Sequence, residues 1–434
     1  MVHDDGPLGL DGVQVCFDDE RVVSDAGIAL AATLAARLGI EDLARRFVRL
    51  RPDQPGACNA GRKVMSLIFA MALGADSVDD CEVLRSGRTR RLLGGWVAAP
   101  STLGTFLRAF TFGHVRQLDR VLGETLTRAW KAGAGPGEER LVVDVDSFVG
   151  EVHGYGKQGA SFGYTGKRGY HPILASRAET GEVLHLRLRK GSANTQRGIL
   201  RFADELIARV TRAGGAGVKL FRADSGFWNS KVFERLERAG WQFSIGVRMI
   251  KSVREVVELI PEAAWQPLAD YPDTGEAQIA ETVLGGRRLI VRRVRLLGEQ
   301  GELFPDWCHF PFATNRSEDI AIVEREHRQH AVVELVIRDL KDQALAHFPS
   351  GHFHANAAWT VIAALAHNLL RWTEVLGLPE RTIRAARTLR RRLLALPGRL
   401  TTHAGRWMLH LPARWPWQQD FIEALTRIRA LAAA

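Results

Sequence analysis

Cysteine is scarce: the four in 434 residues, at positions 16, 58, 81 and 308, form no Cys-x2-Cys pair and no zinc-ligand spacing. That excludes a disulfide framework and a structural zinc, and buried free thiols are expected. Long apolar runs are missing too. VMSLIFAMALGA and AAWTVIAALAHNLL fall short of a membrane span, and MVHDDGPLGLDG is acidic where a signal peptide is basic. A cytoplasmic protein with no membrane partner is expected. Lysine is absent from Gly377 onward, where eleven Arg accompany three acids, so much of the net charge of +10 is local. RTIRAARTLRRRLL sets Arg381, Arg384, Arg387 and Arg391 at helical spacing, which suits either a solvated basic face or a row of forked donors for phosphate oxygens. For the whole chain the pattern points to a polyanionic partner.

What is present is an ordinary globular composition, 46% hydrophobic and 25% charged. Residues 25–130 read as mostly helical. DAGIALAATLAARLGIEDLARRF repeats apolar positions at i, i+3 and i+4, and PSTLGTFLRAF opens with Pro and an N-capping Ser101. KAGAGPGEER, at 131–140, is the clearest linker. Beyond it LVVDVDSF is a strand, and YHPILASR and EVLHLRLRK form a hairpin around AETGE. TQRGILRFADELIARV and KVFERLERAG are helices, while GVKLFRAD and WQFSIGVRM are buried strands. The order β-β-β-α-β-α-β predicts an α/β fold, a mixed sheet flanked by helices. From about 250 to 318 the signal is strand-like, LIVRRVRLL being its firmest piece, and reads as an insertion. Helices at 319–345 and 355–374 follow.

FRADSGFWNS places Asp224 at the tip of an apolar strand, with Gly226 allowing an immediate turn. In sheets of this kind ligands collect where strand ends open into a crevice. In LVVDVDSF, Asp144 and Asp146 share one face by period two, and an acid on a central strand is costly unless paired or metal-bound. In EREHRQHAVVELVIRDLKDQ, at about 100° per residue, His327, His330, Glu334, Arg338 and Lys341 fall within roughly 40° of one line. Val332, Val333, Leu335, Val336 and Leu340 lie on the far side. A solvated face with a Glu334–Arg338 pair is the plain alternative.

These blocks resemble the DDE transposases with an RNase-H-like core, and specifically the bacterial insertion-sequence family numbered 1380, a relative of the branch with a Tyr-x2-Arg-x3-Glu-x6-Lys signature. The likeness covers nearly the whole chain: DVDSF with EVHGYGKQGASFGYTGKRGYHPILA, then FRADSGF, VVELVIRDLK and PGRLTTHAGRWMLHLPARWPW follow in the family's order. The resemblance implies Asp146 as the first acid, since the family's acid directly precedes Ser or Thr and Ser147 fits. It implies Asp224 as the second, Glu334 as the third and Lys341 at the signature lysine. His327 and His330 stand where the signature has Tyr and Arg.

The resemblance further implies that the three acids are catalytic and bind two Mg²⁺, with Mn²⁺ as a substitute, for cleavage at transposon ends and strand transfer into target DNA. Arg338 and Lys341 are expected to hold a phosphate, with His330 and His327 as weaker, pH-dependent contacts. Trp228 is expected either to stack on a displaced base or to belong to the core. The loop around Lys157, Lys167 and Arg168 has six Gly interleaved with Tyr155, Phe162 and Tyr164, which suits distorted DNA.

On this reading residues 1–135 are a helical N-terminal domain for DNA binding or dimerisation, and 136–248 begin an RNase-H-like catalytic core. Residues 249–318 are a β-rich insertion, 319–376 the core helices with the third acid, and 377–434 an Arg-rich arm. Expected partners are double-stranded DNA, both terminal inverted repeats and target, and a second copy of the chain as a homodimer on DNA in the bacterial nucleoid. GYGKQG opens no helix and TGKR lacks the rest of a P-loop, so no nucleotide triphosphate is expected. Two other classes stay open: a metal-dependent nuclease without strand transfer, and a catalytically decayed DNA-binding remnant, which the two His substitutions permit.

Overall fold

The computed structural model describes residues 13–163, 165–269, 271, 275–296, 306–380 and 383–434. Tyr164, Arg381, Leu297 of LIVRRVRLL and the first twelve residues lie outside the described residues. Ahead of the sheet come α1 (Ala29–Arg37), α2 (Ile40–Phe47), α3 (Ala60–Ala72), α4 (Pro100–Arg108) and α5 (Phe112–Ala129). The cap of α4 is the extended Ala99 rather than Ser101, because Pro100 takes the first helical position, where its fixed φ and missing N–H are tolerated. KAGAGPGEER does not begin as a loop. Trp130–Ala134 continues α5 as a π-helical turn with Trp130 and Ala134 buried, and the chain leaves the helix at Gly133, whose φ is 105°.

The main sheet contains β1 (Leu141–Ser147), β2 (Ile173–Arg177), β3 (Val183–Arg187), β4 (Lys219–Ala223) and β5 (Gln242–Gly246). It continues through β6 (Gln266–Pro267), β7 (Gly275–Leu284), β8 (Arg287–Leu296) and β9 (Cys308–Thr314). The order across it is β6-β7-β8-β9-β5-β4-β1-β2-β3. β1, β4 and β5 run parallel, and every other neighbouring pair is antiparallel. α6 (Ile199–Ala213) and α7 (Ser230–Arg238) provide the crossovers that parallel pairing requires. The stretch expected as an insertion begins with α8 (Lys251–Glu258), then extends the same sheet, with Phe312 of β9 opposite Gly246 of β5.

The single helix expected at 319–345 is broken. α9 (Ile320–Arg328) ends in a 3₁₀ turn, Gln329–Ala331, before α10 (Val332–Lys341). Val333, Val336 and Leu340 are buried as the pattern predicts, but Leu335 is exposed: Ile337, four residues after Val333, completes the apolar stripe instead. α11 (Phe353–Gly377) is buried almost all round and packs against α1, α3, α4, α5 and β3. Its Ala, Leu and Trp content on every face marks a central core helix. No helix of the described residues is long and apolar enough to cross a membrane.

After α11, Ala386–Leu389 and the turn Arg390–Leu394 form one short helical piece, so Arg384 precedes any helix and the expected row is interrupted. The Arg384 guanidinium lies against Glu374 and Asp420, while Arg387 and Arg391 are exposed. The chain ends with a hairpin, β10 (Gly398–His403) and β11 (Arg406–His410), and α12 (Gln418–Ala430), which packs on α1 and α11. All four cysteines are free, but only Cys81 is buried, its thiol pushed up to about 12 by that burial; Cys16, Cys58 and Cys308 are exposed, contrary to expectation.

Candidate active site

Asp144 and Asp146 project from the same face of β1, but their surroundings differ sharply. Asp144 is fully buried and pairs in register with Arg222 of β4. Arg222 grips it with both branches of its fork: Nε donates to Oδ1 at 2.7 Å and Nη2 to Oδ2 at 2.8 Å. The same guanidinium donates to the carbonyls of Glu326 and Gln329, at the break between α9 and α10. An arginine at a helix C-terminus satisfies carbonyls that lack helical partners and complements the dipole there. His330 Nδ1 stands 3.1 Å from Asp144 Oδ1, so one buried carboxylate gathers β1, β4 and the break.

The β1–β4 register pairs Val145 with Ala223. One residue further along the two strands stand Asp146 and Asp224, at the adjacent strand ends. Asp224 is exposed and caps a short 3₁₀ turn, Ser225–Phe227, its Oδ1 accepting the Gly226 N–H at 3.0 Å. The turn is tight. A Cβ on Gly246 of β5 would sit 2.7 Å from Ser225 N, which only glycine avoids. Glu334, in the first turn of α10 and exposed, lines the same cleft as Asp224 and Ser225.

Electrostatics tie the three acids together. Burial first, and then the charges of Asp224 and Glu334, together push the Asp146 carboxyl up to about 6, against the lowering effects of the Ser147 N–H and His330. Two adjoining clefts, of about 750 and 580 Å³, meet at Asp224, Ser225 and Arg248. Asp146 lines the first and Glu334 the second. Among the described residues no three His, Cys, Asp or Glu side chains already stand at the spacing of a formed metal site.

The other expected residues divide into those at this site and those engaged elsewhere. Lys341 is exposed, with Nζ 5.1 Å from the centre of the Phe148 ring just past β1. Burial lowers its ammonium, and Asp146 attracts it. Arg338 is exposed on α10, one turn beyond Glu334. His327, expected as a phosphate contact, is instead a structural ring: it stacks on Phe312 at 4.1 Å, lies 2.8 Å from Ser244 Oγ, and burial drives it down to about 3, so it is neutral. His330 faces Asp144 and Asp146.

Trp228 is half-buried against the core, and its carbonyl accepts from Gln196. Lys157 donates to the Phe348 carbonyl, and Arg168 to the carbonyls of Gly154 and Tyr155, so both fasten the glycine-rich loop rather than stand free. Lys167 pairs with Glu151 at 2.9 Å. Sequence reasoning passed over Arg222 and Arg248. Arg222 was signalled by its position two residues before Asp224, on the same face of the strand. Arg248 follows β5 in GVRM and lines both clefts beside Asp224.

Comparison with known proteins adds the family. The family model described as Transposase DDE domain group 1 matches residues 7–433. Among solved structures, the piggyBac transposase synaptic complex with hairpin DNA, seen by cryo-electron microscopy, aligns with a TM-score of 0.47 and 12% identity over 88% of this chain and 80% of that chain. No curated protein matches the sequence. Because the family match runs almost from end to end, the chain belongs to the group 1 DDE-domain transposases and is a DNA-cleaving enzyme of that class.

Proposed function

We propose that this transposase cuts the ends of a mobile DNA element and joins the freed 3′-hydroxyl to target DNA, with Asp146, Asp224 and Glu334 as its catalytic carboxylates. The observation that carries this reading is the convergence of three acids distant in sequence. Asp146 and Asp224 follow one another at the ends of paired strands, and the clefts lined by Asp146 and by Glu334 meet at Asp224. They are close enough that burial and the charges of Asp224 and Glu334 raise the Asp146 carboxyl. An RNase-H-like reading of the core is supported by the order β3-β2-β1-β4-β5, with β1, β4 and β5 parallel. The narrower kinship with the insertion-sequence family numbered 1380, and a bacterial source, rest on the order of the sequence blocks.

A set of mutually repelling carboxylates fits hard divalent cations, which prefer oxygen ligands. Asp146, Asp224 and Glu334 would hold two Mg²⁺, which supply activation of the attacking oxygen and charge stabilisation at the leaving oxygen. The chain's own part is positioning. Lys341, Arg338 and Arg248 hold the scissile phosphate over the strand ends, and the clefts on either side of Asp224 receive the two arms of the DNA. Residues 1–135 and 377–434 supply duplex contacts, and pairing two ends calls for two copies of the chain on DNA.

The test is end-bearing duplex with Mg²⁺. Joined products are expected; cleaved products without joining would leave a nuclease, and bound but intact DNA a remnant.

The Asp146 carboxyl also gives a pH-dependent expectation. Its folded-state value lies above the ordinary range, so the folded protein binds this proton more tightly than the unfolded chain. The resulting stability is present below the ordinary carboxylate pKa and is lost as pH rises through about 6. Asp146→Asn is therefore expected to melt higher than the parent at pH 7.5 in chelator, with the gap closing toward pH 4 and shrinking when Mg²⁺ is added. Thermal melts across pH, with and without the ion, check this; an unchanged gap across pH would remove the electrostatic cause.

A further inference from the structure

The C-terminal hairpin β10–β11 lies in a part of the chain with an unusual charge pattern. From Arg381 to Gln419 there is no Asp or Glu, and nine Arg occur. The hairpin root is fixed. β10 pairs with Val22–Val23, Leu400 is buried with Val23 and Ala26, and Arg88 donates to the Leu400 carbonyl at 2.8 Å. Beyond that root the ribbon carries exposed side chains to its tip. Ala404 and Gly405 close it with φ of 47° and 75°, a two-residue turn whose left-handed residues match the twist of the strands. Ala tolerates that region poorly, so the narrow tip is held at a small cost in strain.

The two faces of the ribbon differ. Leu400 and Leu409 point to the core, and further out on that face Trp407 is half-exposed, with the guanidiniums of Arg88 and Arg91 5.7 and 5.1 Å from its ring. The opposite face pairs Arg399 with His410 and His403 with Arg406, around an exposed Met408. At the root Arg399 stands 3.4 Å from Asp19. Among the described residues Arg406, near the tip, makes no ion pair, and β11 is an edge strand with no neighbour on its outer side. An exposed, basic, two-stranded ribbon of this width fits the major groove of a duplex, which admits such ribbons.

We infer that β10–β11 is a duplex-DNA contact separate from the acids, entering a groove of the element's end with Arg399 and Arg406 on phosphate oxygens and Trp407 braced by Arg88 and Arg91. This rests on the proposed action at element ends. Its role is holding DNA, so its loss acts on affinity and not on chemistry.

The experiment compares the parent with R399A/R406A and W407A, whose changed side chains are exposed, after thermal melts verify folding. Fluorescence anisotropy on end duplex, and on single strand of the same sequence, is measured from 0.05 to 0.3 M salt, and Mg²⁺-dependent cleavage at saturating DNA. Expected for R399A/R406A is a roughly tenfold loss of duplex affinity at 0.15 M salt and a salt slope shallower by about 2. W407A is expected to lose duplex affinity as well. Single-strand binding and cleavage at saturation should hold. Unchanged duplex affinity and slope, in a parent that binds and cleaves, overturn the inference. Equal losses on single strand overturn the groove and leave only nonspecific charge. A parent that binds duplex through the ribbon yet neither cleaves nor joins would overturn the proposed function and not the ribbon.

Discussion

Asp146→Asn, Asp224→Asn and Glu334→Gln are each expected to lower cleavage and joining by on the order of 10³-fold or more, the scale on which a single electrostatic stabiliser of a transition state acts. End-DNA binding is expected to remain near the parent's. The substitutions keep side-chain size and remove one negative charge, so the fold has little reason to change. Asp224 and Glu334 are exposed, and Asp146→Asn removes a charge whose burial, with repulsion from Asp224 and Glu334, raises the carboxyl to about 6. The three losses should not add. Carboxylates that share bound ions act as a unit, and removing a second after a first should change little. Single-turnover cleavage of end DNA, with binding measured in parallel, gives the answer. If any one of the three kept near-parental cleavage, it would leave the catalytic set.

The sheet and the family were legible because both depend on short-range pattern. LVVDVDSF and GVKLFRAD announce strands by composition, and period two puts Asp144 with Asp146 and Arg222 with Asp224 on common faces. Parallel pairing in that register then sets acid against base at one level, Asp144 with Arg222. The next level of the same face brings acid beside acid. The break between α9 and α10 was not legible, because what stabilises it is an arginine about a hundred residues upstream that donates to the carbonyls of Glu326 and Gln329. A helical wheel drawn through 327–341 as one rod therefore set His327 on the polar line with Glu334, although its ring is packed against Phe312. Leu335 was misplaced for a reason inside α10, where Ile337 completes the apolar stripe. The basic row at 384–391 misled for a similar reason: Glu374 and Asp420, brought in by α11 and α12, take up Arg384.

Arg222→Met is expected to destabilise the protein by about 3–5 kcal/mol, since it strands a buried carboxylate beside His330 alone. Its effect on chemistry should exceed what stability explains. Arg222 joins β1 to the carbonyls at the α9–α10 break, and Glu334 stands in the first turn of the helix that starts right after that break. A misplacement of about 1 Å at a reacting centre is enough for roughly 100-fold in rate. The double variant Asp144→Leu with Arg222→Met separates the two effects. Replacing a buried ion pair with apolar side chains of similar size is often neutral, so most of the stability should return. The carbonyls of Glu326 and Gln329 still lack their donor, so cleavage should stay low while end-DNA affinity holds. Urea unfolding and single-turnover cleavage on the parent, both single variants and the double measure the two quantities side by side. Full recovery of cleavage together with stability would mean that the pair only stabilises the fold and does not aim the third acid.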